Sequence, residues 1–292
     1  MRRRLEMLTS LLFLTVVSAT SLLNQEQLHM VQCVDRVLER NFVPGTLLFV
    51  SVPTSPPQFS QRTFVDNALR SNEQNLADAV LENINKKSRW PVLTARPETS
   101  TPDDDRPYKH NSYVIFLGAE TKGGDVLESL KSQMESIQAY TYSWNRRGRY
   151  FVFVTDMDIQ HPHQLAMNIS QLLWTTYSVM DVLIMISNNH SSGPEINTQS
   201  SHCVTEFYTW FPYESGKCGQ VENVTLLDKW SLGENKNSNL ELFPEKVPTN
   251  LHQCPITIYA NEFEPHIMTV CNNEGHGNGT CTLRGIETEY TW

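Results

Sequence analysis

Three short apolar runs in the middle of the chain decide its fold: SYVIFLG (Ser112–Gly118), YFVFVTD (Tyr150–Asp156) and DVLIMIS (Asp181–Ser187). Each has the length of a strand and is apolar at successive positions, the pattern of a strand buried on both faces. Between them the period changes. Val126, Leu127, Leu130, Met134 and Ile137, and then Leu165, Ile169, Leu172 and Leu173, recur at helical spacing. Strands without a polar face, joined by helices with a single apolar face, fit a parallel sheet covered on both sides. The spacing predicts a doubly wound, mainly parallel α/β layer.

Outward from this centre the pattern extends in both directions. Leu28, Val31, Cys33, Val34, Val37 and Leu38 predict a helix over 24–41, and Gly45 opens the strand TLLFVSV (Thr46–Val52). Pro53, Pro56 and Pro57 make a loop, after which Leu76, Val80, Leu81 and Ile84 predict a helix from about Asn72, followed by RWPVLTA (Arg89–Ala95). Residues 96–111 are rich in proline and acid and read as an exposed loop, with Asp103–Asp105 as solvated charge. On the other side, VTEFYTWFPY (Val204–Tyr213) and LLDKWSL (Leu226–Leu232) read as strands added to the sheet's edge.

Composition narrows the function classes. With 39% hydrophobic residues over 292 positions the chain can build a core, and its net charge of −9 argues against a nucleic-acid partner, which normally shows as a basic stripe. MRRRLEM followed by the apolar run Leu8–Ala19 and the small residues around Ala19 is the pattern of a cleaved signal peptide over 1–19, which predicts export. That run is shorter than the roughly 20 apolar residues a membrane span needs. The later run Val179–Ile186 is broken by Asp181, so no span beyond the signal peptide is expected.

In an exported chain the six cysteines, Cys33, Cys203, Cys218, Cys254, Cys271 and Cys281, are disulfide candidates, and the absence of CxxC disfavours zinc. Nearest-neighbour pairing joins Cys203 to Cys218 and Cys271 to Cys281, leaving the partners of Cys33 and Cys254 open. Asn168, Asn189, Asn223 and Asn278 head N-glycosylation sequons.

The residues that invite chemistry have ordinary readings beside them. Asp156 and Asp158 follow a buried strand, where a DxD pair could hold a divalent cation on a sugar-nucleotide diphosphate; acidic residues also commonly terminate such strands. His161 and His163 flank Pro162, as the start of a helix would place them, with no third zinc ligand nearby. NEGHGNGT, between Cys271 and Cys281, lacks the lysine of a phosphate loop, and neither GxGxxG nor GxSxG occurs. No catalytic residue, metal site or cofactor is expected, and the chain is not read as an enzyme.

The C-terminal third carries a family resemblance. Phe243, Pro244 and Lys246 precede Cys254 and Pro255, the candidate strand Ile256–Tyr259, Pro265, and then Gly285, Ile286 and Glu287; upstream lie Phe211, Pro212, Cys218, Gly219 and Trp230. This series resembles the junction in arthropod ionotropic receptors, the divergent chemosensory branch of the ionotropic glutamate receptor family, where an aromatic-Pro-Lys linker leads into the first ligand-binding strand. The resemblance covers about the last ninety residues; upstream it is one of fold and order alone. It implies a periplasmic-binding-protein-like amino-terminal extracellular domain over 20–238, a linker over 239–253 and an incomplete start of a ligand-binding lobe over 254–292. It also implies other receptor subunits as partners, and a place at the extracellular face of the cell membrane as part of the receptor.

The family continues into a second ligand-binding segment, three membrane-spanning helices and a pore loop. Here the resemblance reaches only the first ligand-binding helix, which suggests a truncated or partial product. Assembly or support is therefore the expected role, and the ligand is unknown. The alternatives are a soluble secreted glycoprotein that binds a small molecule or subunit and, more remotely, a metal-dependent luminal glycosyltransferase using Asp156 and Asp158.

Overall fold

Helix α1 (Gln25–Asn41) starts where its sequence can satisfy the first free amides. The Asn24 side chain accepts a hydrogen bond from the Gln27 amide at 2.7 Å, and the Gln27 side chain accepts one from the Asn24 amide at 3.1 Å, a reciprocal capping box. The computed structural model describes residues 23–53, 64–97, 109–118, 125–155, 159–190, 202–232, 241–247, 250–255, 268–271 and 281–284. The signal peptide, Asp103–Asp105, Asp156, Asp158, Asn278, Ile256–Tyr259, Pro265 and Gly285–Glu287 lie outside these residues.

After α1 come β1 (Leu48–Ser51), α2 (Phe64–Lys87), β2 (Val92–Ala95), β3 (Ser112–Leu117), α3 (Val126–Gln138), β4 (Arg149–Val154), α4 (Pro162–Tyr177), β5 (Val182–His190), β6 (His202–Thr209) and β7 (Thr225–Ser231). Helix α2 starts earlier than Asn72, because no proline or glycine between Phe64 and Ser71 interrupts it. Asp125 caps α3 through the Leu127 amide. Pro162 occupies the first turn of α4, where its missing N–H costs nothing.

The seven strands form one sheet in the order β2-β1-β3-β4-β5-β6-β7. The first five run parallel, and β6 and β7 are antiparallel additions. This is a mixed, mainly parallel α/β sheet with its helices split between two faces. Helices α1 and α2 bury Val34, Val37 and Val80 against Val50, Phe116, Phe153 and Met185. On the other face α3 and α4 bury Leu130, Met134 and Ile169 against Ile115, Val152 and Ile184.

As the sequence suggests, β6 and β7 are added at one edge of the sheet, with β6 beside β5 and β7 outermost. Within β6 a charge is neutralised. Glu206 on β6, only 3% exposed, meets Lys229 of β7 at 2.6 Å and accepts a 2.5 Å hydrogen bond from Tyr208, so a carboxylate is carried into a buried strand. Helices α1 and α2 are tied across their ends by Lys87, whose ammonium reaches Asp35 at 2.5 Å and Glu39 at 2.9 Å.

A second compact unit begins at His252, within the segment read as a linker. Its strands β8 (Met268–Cys271) and β9 (Cys281–Arg284) pair antiparallel, with Cys271 directly opposite Cys281. Directly opposed cysteines in such a pair have the backbone separation a disulfide spans.

Phe153 is fully buried at the centre of the sheet, whereas the Asn24 cap holds only one helix end. Phe153→Ala should cost about 3–5 kcal/mol. Asn24→Ala should cost about 1 kcal/mol. Urea denaturation of the two variants checks the order and the gap.

Candidate functional site at the linker anchor

The site lies at the edge where the parallel strands begin, and a turn before β4 builds its first wall. Tyr113 and Tyr150 stack at 4.3 Å with their rings 7° apart. The Tyr113 hydroxyl accepts from the Asn145 amide at 2.8 Å, and the Tyr150 hydroxyl donates to the Asn145 carbonyl at 2.9 Å. Trp144 donates its indole N–H to Tyr150 at 3.0 Å. Burial raises both phenols above the ordinary tyrosine range, Tyr113 to about 12. Gly148 closes the turn because a Cβ there would sit 2.8 Å from the Tyr113 ring. The turn holds Arg146 and Arg147 at the surface and delivers Arg149 to the start of β4.

Arg149 ties three elements together. Its Nη1 donates to the Asn41 carbonyl at the end of α1 (2.6 Å), and its Nε lies 3.6 Å from Asp181 Oδ2. Its guanidinium sits 5.4 Å from the centre of the Phe243 ring, which meets Phe42 edge-on at 5.6 Å. Asp181 stands immediately before β5, and because β4 and β5 are parallel neighbours, the residues that open them share one edge. Burial pushes the Asp181 carboxyl above the usual carboxylate range, against the pull of Lys246 and Arg149.

Lys246, read in the sequence as part of a linker, completes the arrangement from a distant part of the chain. Its side chain is 2% exposed, and Nζ donates to the carbonyls of Met180 at 2.9 Å and Val182 at 3.0 Å. Asp181 Oδ1 stands 3.8 Å away, an ion pair without a hydrogen bond. Burial pushes the Lys246 ammonium down to about 8, with Asp181 opposing the shift. Leu242 and Phe243 are buried beside it, so the segment 242–246 is seated in the lobe by two apolar side chains and a charge.

Around this anchor opens a groove of about 910 Å³ with Trp174, Met180 and Phe243 among its walls and Arg146, Arg147 and Glu245 among its charged residues. Its size falls within the range of small-molecule pockets, and its lining is more charged than is usual for one, with Arg149, Asp181, Glu241 and Lys246 also contributing.

The residues singled out in the sequence are dispersed. Cys218 and Cys254 are disulfide-bonded. Cys33 departs from the disulfide expectation: it is a thiol within α1, 2% exposed, with Sγ 3.5 Å from His29 Nε2, because its position on the helix points it into the core. Cys203 lies on β6, opposite Asn189 of β5. Asn168 is half-buried on α4, and Asn223 is exposed ahead of β7. His161 and His163 stand at the start of α4, and the His163 ring lies 6.1 Å from Tyr208. Among the described residues no group of three His, Cys, Asp or Glu side chains could hold a metal ion, and no helix is long and apolar enough to cross a membrane.

Arg149, Asp181 and Lys246 were not grouped in the sequence. Their signal was present: Arg149 and Asp181 each stand directly before an apolar run, and Lys246 is the cation of an aromatic-Pro segment.

A mainly parallel α/β lobe with the segment 242–246 seated in it beside a groove has the form of a binding domain. Residues 58–249, well over half of the chain and inclusive of the anchor, match the family described as "Putative ionotropic receptor, ligand binding domain". The chain belongs to this family, which is a receptor family and not an enzyme family. Compared with curated proteins and with solved structures, it finds no match in either.

Gly148→Ala should lose roughly 1–3 kcal/mol, since Tyr113 is held by stacking and cannot withdraw. The pH profile tests Lys246. Its folded pKa lies below the unfolded value, so between about 8 and the tyrosine range near 10 the unfolded chain holds more protons and stability rises with pH. Below 8 this contribution is flat. The full shift corresponds to about 3 kcal/mol, and Lys246→Met should abolish the rise in denaturation midpoints measured across that window.

Proposed function

We propose that this chain is the extracellular amino-terminal portion of a chemosensory ionotropic receptor of the arthropod type, and that it serves assembly with other receptor subunits and not conduction. The family match over 58–249 carries the reading, because that family is one of ligand-gated receptors. The signal-like leader and the disulfide-bonded Cys218 and Cys254 agree with an oxidising, extracellular place. The linker anchor supports it as well. A segment leading from one receptor module to the next transmits position only if it is fixed where it leaves the first, and Phe243 and Lys246 fix it there.

The groove favours a second reading, a secreted module that binds a small molecule without a subunit partner. Co-expression separates the two. The tagged full chain is produced in insect cells together with pore-forming ionotropic receptor subunits, and surface complexes are captured through those subunits. The assembly reading predicts co-capture, weakened by Lys246→Met. Recovery of the chain only as a monomer in the medium, with no capture at any subunit tested, overturns it in favour of the secreted module.

A further inference from the structure

Among the described residues strand β7 ends one side of the sheet, and the residues that lead into it are held in a fixed path. The Trp174 indole donates to the Gly219 carbonyl at 2.7 Å, and the Gly219 amide donates to Pro212 at 2.6 Å. Gly219 adopts a φ of +81°. Five residues on, Val224 is buried against the α3/α4 face of the sheet. Its neighbours Asn223 and Thr225, one residue to either side, are exposed.

The three residues Asn223-Val224-Thr225 form a sequon, placed at the surface where the chain enters β7. Asn223 Oδ1 accepts from the Val224 amide at 2.9 Å, and no described residue bonds its carboxamide nitrogen. The sequon at Asn168 is different. It lies within α4, Asn168 is half-buried and accepts from Gln164 at 2.9 Å, and the Ser170 hydroxyl it needs is fully buried in the core.

We propose that Asn223 carries an N-linked oligosaccharide standing at the β7 rim of the sheet. The proposal rests on the export assumed by the function above. The Asn223 carboxamide nitrogen forms a bond to the anomeric carbon of a lipid-linked oligosaccharide diphosphate. The anomeric C–O bond breaks, the lipid diphosphate leaves with the bonding pair, and one amide proton passes to a base. A bulky, hydrated group at this point stands beside Thr225 and Leu226, where β7 begins, and hinders the approach of another sheet there.

The full chain is secreted from insect cells, and its peptides are treated with peptide N-glycosidase in heavy-oxygen water, which marks each formerly glycosylated asparagine. The expected result is a mark on Asn223, with Asn223→Gln and Thr225→Ala each losing one glycan step on a gel. Thr225→Ala leaves the Asn223 contact with Val224 intact, so its loss reports the missing sugar and not a disturbed loop. An unmarked Asn223 beside another marked sequon overturns the proposal while export stands. A chain retained in the cytosol with no sequon marked overturns both.

Discussion

Strands β3, β4 and β5 are buried on both faces, and that constraint organises the rest of the lobe. A strand with no solvated face must have its backbone groups paired on both sides and a covering layer above and below. Flanking strands and helices on both faces are therefore obligatory, and polar residues are displaced to the ends of the strands. Because β4 and β5 run parallel in adjacent positions, the charged residues displaced from their starts, Arg149 and Asp181, come together without any further device.

That meeting of charges makes a receptor for the linker. A carboxylate and two backbone carbonyls stand at the edge of an apolar layer, and Lys246 supplies a cation and donors to them. Desolvation outweighs the ion pair, since burying the Lys246 ammonium costs more than Asp181 returns. The specificity comes from the combination: Phe243 against Phe42 and Arg149 fixes the depth of the linker, and Lys246 fixes its register. Removing either leaves the other misplaced.

Much of this architecture was legible in the sequence because it rests on local signals. The strands β3, β4 and β5 and the helices between them follow from period and length, and α1 from its apolar stripe. What local signals could not supply was adjacency. Glu206 lies in a strand with neighbours on both sides, and only the opposing Lys229, from a strand more than twenty residues on, makes its carboxylate compatible with that place. The anchor was hidden for the same reason: Arg149, Asp181 and Lys246 are scattered over nearly a hundred residues, and each alone resembles an ordinary surface charge. Cys33 illustrates the converse, since counting cysteines cannot show that a helix turns one of them into an apolar core.

The position of the anchor also sets how the lobe would bear force. Tension on the linker enters the sheet beside the starts of β4 and β5, in the middle of seven strands and away from the rim. A pull applied at the rim could peel β7 one hydrogen bond at a time. A pull applied at the centre meets strands held by neighbours on both sides and helices above and below, so many contacts must break together. The clamp should slip before the sheet yields, which makes the Lys246 seat the mechanical fuse between the lobe and whatever the linker draws upon.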